Sequence, residues 1–248
     1  MKVFENILEI SKDYKGFIFD VWGVLHASGI IPYGILDSLN AVKQDGKKVL
    51  LLSNAPRRAS EVSAFLAEKV GVIEGKHYDG ILTSGEVFFR EIDAGDKKKI
   101  FYIGPEKDLS SVKSINIELV NNPRECDFAV VTGVIPEPDT ILRELKNNNK
   151  KLYCINPDIF ITKSDGSKEE CAGFIAAKFE KLGGEIIYFG KPYAPVYEEA
   201  VKFFEGLNKS QILAVGDGME TDILGANNFG IHSALCLAGL PGVEIKKG

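Results

Sequence analysis

The 248-residue chain is poor in the side chains that staple small folds or hold soft metals: it has four cysteines and three histidines. Cys126, Cys154, Cys171 and Cys236 are widely spaced and form no C-x-x-C pair. That argues against a zinc knuckle or a disulfide scaffold and fits a reducing cytosol. His26, His77 and His232 are equally scattered, so no histidine-based metal site is expected. No apolar run approaches the roughly 20 residues that a membrane span needs. The opening segment, MKVFENILEISKDY, breaks its apolar residues with charges, unlike a secretory signal. A cytoplasmic protein with no membrane partner is the expectation. Excess positive charge is also missing. The chain has 30 Lys and Arg against 35 Asp and Glu, a net charge of −5, which argues against nucleic acid as the main partner. There is no G-x-S-x-G elbow and no G-x-x-x-x-G-K-[ST] phosphate loop.

What is present is an ordinary globular composition, 45% hydrophobic and 26% charged. A chain of this length buries roughly 70–75% of its unfolded surface, so it needs no disulfide or structural metal. Short, near-continuous apolar runs recur at Phe17–Asp20, Val49–Leu52, Ile100–Ile103, Phe128–Val131, Leu152–Ile155, Ile186–Phe189 and Ile212–Val215, with a last one near Ser233–Leu237. Runs of this kind are strands buried on both faces. Helical periodicity lies between them, at Ile35–Val42, Glu61–Val70, Glu86–Ile92, Asp139–Asn148, Glu170–Leu182, Pro195–Phe204 and Thr221–Asn228. The alternation predicts an α/β fold with parallel sheets and right-handed crossovers. The middle third is punctuated by Asn121-Asn122-Pro123, Pro136-Glu137-Pro138 and Asn147-Asn148-Asn149. It reads as a second α/β unit inserted into the first, with a core of residues 1–84 and 178–248 and an insert of 85–177.

Ligands of parallel sheets bind at the carboxyl ends of the strands. Asp20 follows the first strand and Ser53-Asn54 the second. Gly190-Lys191-Pro192 follows Ile186–Phe189, and Gly216-Asp217-Gly218-Met219-Glu220-Thr221-Asp222 follows Ile212–Val215. The four ends are expected to lie on one edge. A carboxylate, a hydroxyl, an amine and a carboxylate pair gathered there suit phosphoryl transfer. A divalent cation on Asp20, Asp217 and Asp222 would offset the repulsion between an anionic nucleophile and phosphate. Mg²⁺ favours such oxygen ligands. Lys191 adds a fixed positive charge, Ser53 a hydroxyl, and the amides from Asn54 onward are expected to open a helix whose N-terminus favours an anion.

With these motifs the chain resembles the haloacid dehalogenase superfamily of aspartate-nucleophile hydrolases, and most of all its class IIA, the NagD-like phosphatases with a large α/β cap. Phe19-Asp20-Val21-Trp22-Gly23-Val24-Leu25 is similar to the first motif and Ile31-Pro32-Tyr33-Gly34 to the flap. Leu52-Ser53-Asn54 matches the second motif, Gly190-Lys191-Pro192 the third, and Gly216-Asp217 through Thr221-Asp222 the fourth. Asn156-Pro157-Asp158 looks like the cap's substrate loop. The resemblance implies a Rossmann-like core with an inserted cap, and a Mg²⁺-dependent phosphatase acting on a small phosphorylated metabolite. It makes Asp20 the nucleophile, Ser53, Asn54 and Lys191 the phosphate-binding residues, and Asp20, Asp217, Asp222 and the backbone carbonyl of Trp22 the metal ligands. A homodimer paired through the cap is plausible on the same grounds.

Trp22 departs from the family pattern. Phosphatases of the superfamily carry a second aspartate there, which protonates the leaving alcohol and then activates water. An indole does neither. Loss of such help typically costs about 10²–10⁴-fold, so slow turnover is expected. Nearby His26 is a candidate substitute. An aromatic residue at this place also resembles the metal-independent 2-halo acid dehalogenases, although the carboxylates at 217 and 222 favour phosphate over halide. A phosphate-ester binding module with little turnover is the remaining alternative.

Overall fold

The computed structural model describes residues 4–93, 95–113 and 116–237. The outermost ends of the expected core, 1–3 and 238–248, lie outside them. Two five-stranded parallel sheets dominate. The first contains β1 (Gly16–Asp20), β2 (Lys48–Ser53) and β3 (Gly80–Thr83). The second contains β4 (Lys98–Ile103), β5 (Ile117–Leu119), β6 (Phe128–Val131) and β7 (Lys151–Cys154). A separate antiparallel hairpin follows, β8 (Phe160–Thr162) with β9 (Lys168–Glu170). Next come β10 (Ile186–Tyr188), which returns to the second sheet, and β11 (Ile212–Gly216) and β12 (His232–Leu235), which complete the first. The strand orders are β12-β11-β1-β2-β3 and β10-β7-β6-β4-β5.

The apolar runs form strands because both faces of each sheet are covered. β1, β6 and β11 are buried along their whole length. Helices Ile35–Gln44 and Ala59–Phe65 make the crossovers from β1 to β2 and from β2 to β3. One apolar cluster runs through both units. It joins Ile18, Leu50 and Leu82 of the first sheet to Ile100, Phe128 and Val130 of the second through Phe88, Phe189 and Tyr197. Phe88 meets Phe189 edge-on with ring centroids 5.3 Å apart.

Four expectations are corrected. β10 pairs with β7 in the second sheet, Tyr188 opposite Cys154, so Lys191 does not leave the first sheet's edge as the sequence led us to expect. The second sheet thereby extends past residue 177. The helix expected from Asn54 begins only at Ala59, because residues 54–58 form an irregular connection that bends at Pro56 and Arg57 and is extended at Arg58. Glu170 is strand rather than helix, and the helix runs Ala172–Lys181. There the Cys171 amide donates to the Ile159 carbonyl and closes the base of the hairpin. Finally, a π-helical turn, Met219–Ile223, precedes the helix Leu224–Phe229.

Candidate active site

Strand register brings the core residues together. Asp20 is paired with Leu52 across β1–β2, and Phe19 with Val215 across β1–β11. Asp20 therefore ends β1 beside the strand ends that lead into Ser53 and Asp217. Meanwhile β7 and β10 of the second sheet end in step, at Cys154 and Tyr188. Their continuations carry Asp158 and Lys191 to the same place. The site lies where the carboxyl edges of two sheets meet.

Lys191 is its hub. Buried to 3% exposure, its Nζ donates to Asp20 Oδ1 at 2.5 Å, Asp222 Oδ1 at 2.7 Å and the Leu52 carbonyl at 3.2 Å. Burial by itself disfavours the ammonium, but the charges of Asp20 and Asp222 outweigh it and hold the lysine above its ordinary pKa. Burial and the neighbouring Asp222 and Asp217 push Asp20 well above the usual carboxylate range, against the pull of Lys191. Burial and Asp222 likewise raise Asp217.

Asp20, Asp217 and Asp222 each offer an oxygen within 4.8 Å of the others. Three carboxylates and one ammonium leave a formal charge of about −2, and the donors are all hard oxygens. Both properties fit a divalent cation such as Mg²⁺. Two glycines make the convergence possible. Gly23 has φ +87°, and a Cβ on it would lie 1.9 Å from Asp217 Oδ2. A Cβ on Gly216 would lie 2.1 Å from Asp222 Cγ. Gly23→Ala should therefore strain the turn and displace Asp217. We expect the affinity for Mg²⁺, measured by titration calorimetry, to fall by about 10–100-fold, as when a ligand loses its orientation. Unchanged affinity would remove Asp217 from the ligand set.

Ser53 is buried, and its Oγ accepts from the Ala55 amide at 3.2 Å. That leaves its O–H proton to donate elsewhere. Asn54 uses its side chain as a clamp. Oδ1 accepts from the Lys191 amide at 2.8 Å, while Nδ2 donates to the Lys191 carbonyl at 3.1 Å and to Asp158 Oδ1 at 2.9 Å. The side chain is thus committed to the junction between the units, which the sequence alone did not reveal. Asp158 belongs to the Asn-Pro-Asp segment noted in the sequence. Burial raises its pKa, opposed by the bond from Asn54 and by the charge of Lys191.

Trp22 stands two residues beyond Asp20. Its indole meets the ring of His26 edge-on, with centroids 5.5 Å apart. Its Nε1–H donates to the Thr162 carbonyl of the hairpin at 3.1 Å. His26 is buried and packs also against Phe65 at 5.4 Å. Burial lowers its pKa. Its Nδ1 accepts from the Gly29 amide at 3.4 Å, so the imidazole serves as packing behind the indole.

Known proteins resemble this chain in sequence and in fold. Residues 17–118 match a family model described as haloacid dehalogenase-like hydrolase. Residues 188–245 match a second, HAD-hydrolase-like model. The chain is similar to chronophin of Bos taurus, 26% identical over 254 residues that cover 93% of this chain and 83% of the relative. It is also similar to the ribonucleotide monophosphatase NagD of Escherichia coli K12, 23% identical over 237 residues, 93% of this chain and 90% of the relative. Among solved structures, a haloacid dehalogenase-like hydrolase from Brucella suis 1330 superposes with a TM-score of 0.87 at 29% identity, covering 96% of this chain and 94% of that one.

Proposed function

Because this chain belongs to the haloacid dehalogenase-like hydrolases, in the class IIA branch of phosphoric monoester hydrolases, we propose that it hydrolyses a small phosphorylated metabolite through an aspartyl phosphate on Asp20. The observation that carries this reading is the convergence of Asp20, Asp217 and Asp222 on one another, with Lys191 bonded to Asp20 and Asp222. A dehalogenase working without metal has no use for three carboxylates so placed.

In the proposed reaction, an Asp20 carboxylate oxygen attacks phosphorus. The bond to the leaving oxygen breaks, and the electron pair departs with that oxygen. Water then attacks the acyl phosphate, releasing phosphate and restoring the carboxylate. Lys191 keeps Asp20 oriented and stabilises charge on the phosphoryl oxygens. The Ser53 hydroxyl donates to one of them, and Asn54 contributes its main-chain amide while its side chain holds Lys191 in place. Asp20, Asp217, Asp222 and the Trp22 carbonyl would hold Mg²⁺, which when bound supplies the positive charge that favours ionised Asp20 and clamps the phosphoryl group.

The test is hydrolysis of p-nitrophenyl phosphate. We expect turnover with Mg²⁺, its loss on adding EDTA and its return with excess Mg²⁺. Activity indifferent to EDTA would overturn the reading.

A further inference from the structure

The β8–β9 hairpin is poorly secured by its own packing. It joins neither five-stranded sheet, β9 is wholly exposed and β8 is at best half-buried. A lone two-stranded hairpin is marginally stable in water. Besides its own ladder and the turn bonds around Asp165 and Ser167, its side-chain ties are a Lys163–Glu169 ion pair at 2.6 Å and the Lys168 ammonium 4.0 Å over the Phe160 ring. Exposed pairs of this kind are worth little. Among the described residues, two hydrogen bonds beside the site join the segment to the unit of the first sheet. One runs from Asn54 to Asp158 at 2.9 Å, next to Ser53. The other runs from the Trp22 indole to the Thr162 carbonyl at 3.1 Å, two residues from Asp20.

The indole is prepared for that bond. His26 packs edge-on behind it and Phe65 tilted behind His26, and the Trp22–His26 turn is closed by the Gly23 amide donating to the His26 carbonyl at 2.9 Å. A donor already fixed in direction loses little entropy on bonding. We propose that Trp22 is a positioning residue: its indole N–H fastens the β8–β9 hairpin over the active site, so that the place where a proton-transferring carboxylate is expected instead fixes the wall against which the leaving group must fit. The inference rests on the phosphatase reading only for its kinetic consequence.

Trp22 is the chain's single tryptophan, so tryptophan fluorescence reports on the surroundings of this one indole. The ends of the hairpin are already joined by the Cys171–Ile159 hydrogen bond, so residues 160–170 can be replaced by Gly-Gly. In that variant we expect tryptophan emission to shift to the red and acrylamide to quench it more steeply. Unchanged emission and quenching would overturn the proposal. In the full-length protein, Trp22→Phe, and replacement of Trp22 by benzothienylalanine, in which sulfur takes the place of N–H, should each lower amide hydrogen-exchange protection across 160–170 about fivefold. That is the effect of one net hydrogen bond. Strands β1 and β11 should exchange as in the native chain. Native protection in the benzothienyl form would show that ring packing, not the N–H, holds the hairpin, and would sink the idea. The KM for p-nitrophenyl phosphate should rise about three- to tenfold in both forms, the loss of one such bond from the closed site. If the exchange and fluorescence results hold while no form hydrolyses p-nitrophenyl phosphate, the hairpin contact stands and the phosphatase reading falls.

Discussion

Asp20→Asn should lower turnover of p-nitrophenyl phosphate by roughly 10⁴–10⁶-fold, the scale of loss when a covalent nucleophile is removed. The amide preserves shape and can still accept from Lys191, but it cannot form the acyl phosphate. Rapid-quench labelling with a ³²P-phosphate ester should trap a phosphorylated native chain and none in the variant. Labelling elsewhere, or substantial residual turnover, would end Asp20's role. The same substitution should stabilise the metal-free protein. Burial and the adjacent Asp222 and Asp217 hold the Asp20 pKa above its usual value, so its ionised form is disfavoured in the fold. An unfolded aspartate ionises near pH 3.9. The cost therefore appears as pH rises above that value and vanishes below it. The variant's melting temperature should exceed the native one at pH 7, with the two curves converging near pH 4. A site that gives up stability for reactivity behaves this way.

Trp22→Asp should raise kcat on an alkyl phosphate by about 10²–10⁴-fold, the usual worth of general acid–base help. An alkoxide is a poor leaving group unless it is protonated as it departs, whereas p-nitrophenolate leaves unaided. The gain should therefore be far smaller on p-nitrophenyl phosphate for the leaving-group step. Comparing kcat for a series of esters against leaving-group pKa measures it directly. The native enzyme should show a steep decline with rising pKa and the variant a shallow one. The substitution also removes the indole donor and sets a carboxylate against the Thr162 carbonyl. Hairpin protection should fall together with the gain in rate. Parallel slopes in the two forms would mean that another group already moves the proton. Asp158 is the residue to replace next, since its buried carboxyl reaches the site from the cap side.

The sequence by itself determined the α/β class, most of the strands, and the ordered set of Asp20, Ser53, Lys191, Asp217 and Asp222. Buried parallel strands are written as apolar runs, and phosphoryl chemistry needs particular side chains at strand ends, so both are local signals. The short strands were not legible. Gly80–Thr83 opens on glycine, and Lys168–Glu170 is charged and wholly exposed, so neither carries a hydrophobic period. Only the tertiary structure decided that Ile186–Tyr188 belongs to the second sheet, since a three-residue apolar run fits either sheet and its partner is chosen by long-range register. The same holds for the side chain of Asn54, which clamps Lys191 and Asp158, and for Trp22, which reaches a carbonyl 140 residues away. A main-chain partner leaves no mark in the identity of the residue that offers it, and the Asn54–Asp158 pair joins side chains 104 residues apart, so no reading of the chain in one dimension could have placed these bonds.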